Sequence, residues 1–153
     1  VCKQLKLEDQ REFQKCTTEN IQLSGGNLKK SPQDFARELQ EDFKQYYLDD
    51  VLDLVLKYGS NTQYIVAAAQ TNFNNNLLLA EAEYCLENEM TNNTADFIIR
   101  RSGRLYFERP ELNGCLDELD TYFNTQLNYT HDTAKEYLHD FEAEYKAVVA
   151  FRE

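Results

Sequence analysis

Two apolar seams near the C-terminal end constrain this chain more than any other feature. Leu112, Cys115 or Leu116, Leu119, Tyr122 or Phe123, and Leu127 make the first; Ala134, Leu138, Phe141, Tyr145 and Val148 make the second. Steps of three and four residues put such side chains on one face of an α-helix. A loop of about two residues joins the two helices, with Thr130 placed to cap the second, so an antiparallel hairpin is expected. No alternation of period two runs beyond a few residues. With 5 Gly and 2 Pro among 153 residues, the breaks that a strand-and-turn fold requires are scarce. The expected fold is all-α, a compact bundle of about six or seven helices whose last two form that hairpin.

Upstream, residues 1–30 read as an N-terminal tether or connecting segment. Leu5, Leu7 and Phe13 are the large apolar residues in its first twenty, and Ser24-Gly25-Gly26 reads as a turn. A phosphate-cradling loop would need GxGxxG or GxxxxGK[ST] after a strand, and neither pattern occurs. Ser31-Pro32 is a strong helix start, with Asp34 in the first turn and Phe35, Leu39 and Phe43 on one stripe. A second helix is expected after Tyr47, with Leu48, Val51, Leu52, Val55 and Leu56 as its apolar face and Gly59 as its stop. Asn61 is expected to cap a third, containing Tyr64, Ile65, Ala67 and Ala68. Residues 71–76 read as a polar loop. Residues 77–90 read as a helix with Leu78, Ala82, Cys85, Leu86 and Met90 inward. Its carboxylates Glu81, Glu83, Glu87 and Glu89 read as a solvated face or as partners for arginines downstream. A di-metal reading of those four would need ExxH motifs, which are missing.

The stretch from Met90 to Phe107 breaks the pattern of both punctuation and charge. Asn93 can cap a new helix, with Asp96 three residues on to oppose the helix dipole. Phe97, Ile98 and Ile99 form its apolar body, Arg100 and Arg101 suit its C-terminus, and Gly103 should end it in the left-handed conformation. Arg100, Arg101, Arg104 and Arg109 are four of the chain's seven arginines, in a chain of net charge -11. Arg109-Pro110 then restarts a helix.

The acidic balance, with a pI of about 4.6, argues against nucleic acid or an anionic membrane as a partner. No apolar run approaches the ~20 residues that span a bilayer. Cys2, Cys16, Cys85 and Cys115 form no CxxC pair, so neither a disulfide nor a metal site is expected, and the cytoplasm is the default compartment. His131 and His139 read as surface histidines with no nucleophile beside them. Asp49, Asp50 and Asp53 lack the spacing and central Gly of a calcium loop. The chain opens at Val1 without an initiator Met and reads as a piece of something longer. From residue chemistry alone, it is a helical domain without an active site of its own.

Glu83-Tyr-Cys-Leu-Glu-Asn-Glu-Met90 followed by Asp96-Phe-Ile-Ile-Arg-Arg-Ser-Gly-Arg-Leu-Tyr-Phe107 resembles the C-terminal helical domain of FAD-dependent glycerol-3-phosphate dehydrogenases and α-glycerophosphate oxidases. Leu23-Ser-Gly-Gly26, Lys57-Tyr-Gly-Ser-Asn61 and Tyr129-Thr130 support the likeness in the same order. Ser102 stands where the family often has Thr, and Tyr129 where it often has Trp. The resemblance implies that residues 31–153 are the helical C-terminal domain of a larger flavoenzyme. In such an enzyme an N-terminal part binds FAD and oxidises glycerol 3-phosphate to dihydroxyacetone phosphate. It further implies no catalytic, cofactor-binding or metal residues in this chain, no turnover by it alone, and a cytoplasmic parent, at most peripheral at the inner face of the cell membrane.

On this reading the arginines have two uses. They pair internally with Glu81, Glu87, Glu89 and Asp117, or Arg100, Arg101 and Arg104, with Tyr106 and Phe107, face the FAD-binding part. The reading from another class is a free-standing acidic helical module for protein–protein interaction.

Overall fold

In the computed structural model, residues 15–107 and 114–150 are described, and every regular element among them is helical. The described residues form seven α-helices: α1 (Pro32–Asp42), α2 (Leu48–Tyr58), α3 (Thr62–Asn72), α4 (Leu77–Asn88), α5 (Arg104–Phe107), α6 (Leu116–Gln126) and α7 (His131–Val149). A π-helical segment, Asp96–Arg101, lies between α4 and α5. The all-α class expected from the apolar periodicity is thus observed. The described chain divides into two units at the Thr62/Gln63 step.

In the first unit, α1 starts where Ser31 and Pro32 demand. Ser31 Oγ accepts from the Asp34 N–H at 3.2 Å and donates to Asp34 Oδ2 at 2.7 Å. This cap satisfies one of the orphan donors of the first turn, and Pro at the first position has no donor to lose. Helix α1 packs on α2 and buries Ala36 and Leu39, while α2 buries Val51, Leu54, Val55 and Tyr58. The expected face of α2 is corrected at two positions, Leu48 being exposed at its start. Leu56 is exposed, and Leu54 and Tyr58 take inward positions, four residues apart on the same stripe.

Gly59 ends α2 at φ 57°, ψ -132°, a region closed to side-chain-bearing residues. The Ser24–Gly26 turn folds against this end: the Ser60 N–H donates to Gly25 O at 3.0 Å, and Asn61 Nδ2 donates to Ser24 Oγ at 2.8 Å. Asn61, the residue just before α3, thus binds the glycine turn through its side-chain N–H.

In the second unit, Asn76 caps α4, its Oδ1 accepting from the Leu79 N–H at 3.1 Å, and its Nδ2 reaches Glu118 Oε2 on α6 at 3.2 Å. Asn74 and Asn75 take positive φ in the tight turn before it, which asparagine tolerates better than most residues. The core comprises Ile65, Val66 and Ala69 of α3, Ala80, Ala82 and Cys85 of α4, Phe97, Ile98, Leu105, Leu119, Phe123 and Phe141. Edge-to-face rings tie it together, Phe73 to Tyr122 at 5.8 Å and Tyr122 to Phe123 at 5.6 Å, with Phe97 tilted against Phe123 at 6.3 Å.

One expectation about α4 is corrected. Met90 is 88% exposed, because the helix ends at Asn88 and the backbone turns through φ 58° at Met90 itself. Of the two readings of its carboxylates, Glu81 follows the second: it is fully buried, not solvated, and pairs with a downstream arginine. The restart at Arg109-Pro110 and the seam position Leu112 lie outside the described residues. The second seam is shallower than its pattern suggests: Phe141 is buried, and Leu138 is 43% exposed. Thr130 does cap α7, accepting from the Thr133 N–H at 3.2 Å.

Candidate docking surface around the arginine segment

Asn93 opens the arginine segment as the sequence implies, its Oδ1 accepting from the Asp96 N–H at 2.8 Å. The helix that follows is wound as a π-helix, not the expected α-helix. The Ser102 N–H reaches back five residues to Phe97 O at 2.8 Å, and Ser102 Oγ donates to the same carbonyl at 2.8 Å. A π turn is less well packed than an α turn and persists where neighbours hold it. Here Phe97 and Ile98 are locked in the core on one side, and Thr94 Oγ1 donates to Asp120 Oδ1 of α6 on the other. Burial pushes the Asp120 carboxyl above its ordinary range, and the Thr94 hydroxyl partly opposes the shift. Gly103 ends the segment at φ 68°.

The structure separates the arginines. Arg104 Nη2 meets Glu81 Oε2 at 2.5 Å, with 17% of its own side chain exposed and none of the carboxylate. Arg100 meets Asp96 at 2.8 Å and Glu144 of α7 at 3.3 Å, and remains half exposed. Of the carboxylates expected as internal partners, Glu81 is used by Arg104, whereas Arg100 takes two others. Arg101 is exposed without an ion-pair partner among the described residues. Tyr106 and Phe107 close the segment, Phe107 being 85% exposed, with their rings 6.5 Å apart. Arg109 lies outside the described residues.

Glu81 was missed as an inward group, although its position signals it. It stands four residues after Leu77 and four before Cys85, on the stripe that α4 buries.

No group of His, Cys, Asp or Glu able to hold a metal ion forms among the described residues. Nor do those residues fit FAD. A dinucleotide needs a strand, a Gly-rich turn and a helix N-terminus aimed at its pyrophosphate. Here no strand is present among the described residues, and the Gly25 turn is filled by Tyr58 and Asn61. Among the described residues no helix is long and apolar enough to cross a membrane.

These features define a class: an all-α domain that carries an exposed basic-aromatic edge and no cofactor cradle among its described residues. The chain belongs to the family of C-terminal domains of alpha-glycerophosphate oxidase, whose family model matches residues 16–134. It is 33% identical over 146 residues to the aerobic glycerol-3-phosphate dehydrogenase of Staphylococcus haemolyticus, covering 90% of this chain and 26% of that protein. It is 34% identical over 123 residues to the enzyme of the same name from Bacillus subtilis, covering 68% of this chain and 21% of that protein. The chain thus spans about a quarter of the length of the curated relatives it matches. Its fold matches part of the glycerol-3-phosphate dehydrogenase from Bacillus halodurans complexed with FAD, with TM-score 0.76 and 24% identity over 99% of this chain and 33% of that one. The resemblance carried by residues 83–107 is confirmed at the level of the family.

Proposed function

We propose that this chain is the non-catalytic C-terminal domain of an FAD-dependent glycerol-3-phosphate dehydrogenase or oxidase and packs against the FAD-binding part of the same polypeptide. The intact enzyme oxidises glycerol 3-phosphate to dihydroxyacetone phosphate in the cytoplasm or at the inner face of the membrane. One observation carries the reading: the family match runs over residues 16–134, while relatives named for that activity extend far beyond the segment they share with this chain. The alternative of a free-standing acidic adaptor leaves that match unexplained.

Within this reading, residues 31–153 are the helical domain and 1–30 the connecting segment. The docking edge is Arg101, Tyr106 and Phe107, because Arg104 and Arg100 already have acidic partners. Exposed aromatics and an arginine with no ion-pair partner among the described residues are the residue types that anchor an interface.

The test is to express the gene product with and without the sequence preceding Val1. The longer protein should be yellow and reduce its flavin on addition of glycerol 3-phosphate, and this chain should be colourless and inert. A colourless, inert longer protein would reject the assignment. For the docking edge, Arg101→Ala with Phe107→Ser should weaken binding to a separately made FAD-binding part in calorimetry. Unchanged affinity would remove these residues from the interface.

A further inference from the structure

Helices α3 and α4 leave a hollow of about 300 Å³ between them, inside the second unit. Its floor is Ile65 and Ala80, both buried, and its rim carries Tyr64 and Tyr84 with Glu83 and Glu87. The sequence places them there: Ala80, Glu83, Tyr84 and Glu87 step by three and four along one face of α4, and Ala68 stands four residues after Tyr64 on α3. Alanine at 68 and 80 is what leaves the space open.

The charge on this rim is unbalanced. Neither Glu83 nor Glu87 has an ion-pair partner among the described residues; Glu83 receives a hydrogen bond from Asn72. The field reaches the neighbouring Tyr122, where burial is the larger cause and the two carboxylates add to it in holding the phenol proton. An apolar floor, two phenol rings and two carboxylates together match one kind of group, a cation on an apolar stem. Such a group lays its methylenes on alkyl surface and its charge against ring faces and carboxylates.

We propose that this hollow is a receptor for an arginine side chain presented by a partner protein. Guanidinium suits it better than ammonium because its plane stacks on an aromatic ring while its N–H fork reaches the carboxylates. Tyr64, 63% exposed, is the ring free to cover it. This inference stands independently of the flavoenzyme reading, since it uses only the geometry of α3 and α4.

The experiment is an amide-detected NMR titration of the full 153-residue chain. The probes are N-acetyl-arginine amide, the uncharged isostere N-acetyl-citrulline amide, and tetramethylammonium. Arginine amide should give saturable shifts confined to α3 and α4, and citrulline amide should not. Glu83→Gln with Glu87→Gln should weaken the arginine response by about tenfold, the sum of two modest charge contacts. Ala68→Leu, which fills the hollow, should abolish it, and the double glutamine variant keeps the test decisive if that variant misfolds. Equal response to citrulline, shifts scattered over other elements, or no response to arginine would overturn the proposal. So would tighter binding of tetramethylammonium, which would make the site one for a small quaternary ligand.

Discussion

Arg104 Nη2 lies 2.5 Å from Glu81 Oε2, with the carboxylate fully buried and the two residues 23 positions apart in the chain. Buried pairs of this kind are costly to assemble and costlier to halve, because a lone charge left inside loses both its partner and its water. Glu81→Gln should therefore destabilise the chain by about 3–5 kcal/mol in urea denaturation. Replacing both residues by Met should bring stability back to within about 1 kcal/mol of the parent, or above it. If the single and double variants were equally unstable, the pair would not be the source of the loss.

Tyr122 is held protonated to about 12, first by burial and then by the charges of Glu83 and Glu87. Its unfolded-state value is the ordinary 10.0. Between those two pH values the unfolded chain has released the proton and the folded chain has not, so stability falls as pH rises through that window. Tyr122→Phe removes the titrating phenol. The denaturation midpoint of the variant should fall less steeply than the parent's over that range, and parallel profiles would show that Tyr122 does not contribute.

Gly59 sits at φ 57°, and a Cβ there would run into the carbonyl oxygen of Gly25, itself at φ 78°. Gly59→Ala meets both a closed conformation and a filled space, and should cost more than about 1 kcal/mol. Gly114 has open space around its Cβ position and no positive φ, so Gly114→Ala serves as the control. Its melting temperature should be unchanged or slightly raised, while that of Gly59→Ala drops.

Ser102 Oγ donates to Phe97 O, a carbonyl that already accepts from the Ser102 N–H. Removing the hydroxyl leaves no buried acceptor unpaired, so Ser102→Ala should cost only about 0.5–1.5 kcal/mol. A loss well above that range would mean that the hydroxyl, not the surrounding core, keeps the segment in its π winding.

Several features of this molecule were legible in the residues. Ser31, Asn93 and Thr130 cap the helices they precede in the chain, and Gly103 closes the arginine segment. Each depends on a hydrogen bond or a dihedral within about three residues, which local sequence encodes directly. The periodic stripes of Leu39, Val51, Val55, Cys85, Leu119 and Phe123 were legible for the same reason, since a helix repeats its face regardless of what covers it.

The partner choices were not legible. Arg100 could equally have met Glu87 or Glu89; besides Asp96, four residues back in its own segment, folding gave it Glu144, 44 residues away. Met90 carries an apolar side chain and is exposed because the backbone turns at Met90 itself, just past the end of α4. The hollow beside Tyr64 and Glu83 exists because two alanine-bearing faces were brought together.

Periodicity and caps thus determined by themselves that the chain is helical and where most of its helices begin, because those signals are satisfied between near neighbours. Tertiary structure decided which charges are buried, which are paired between elements and which stay exposed. Those outcomes depend on distances between residues far apart in the chain, which close only when the apolar faces meet.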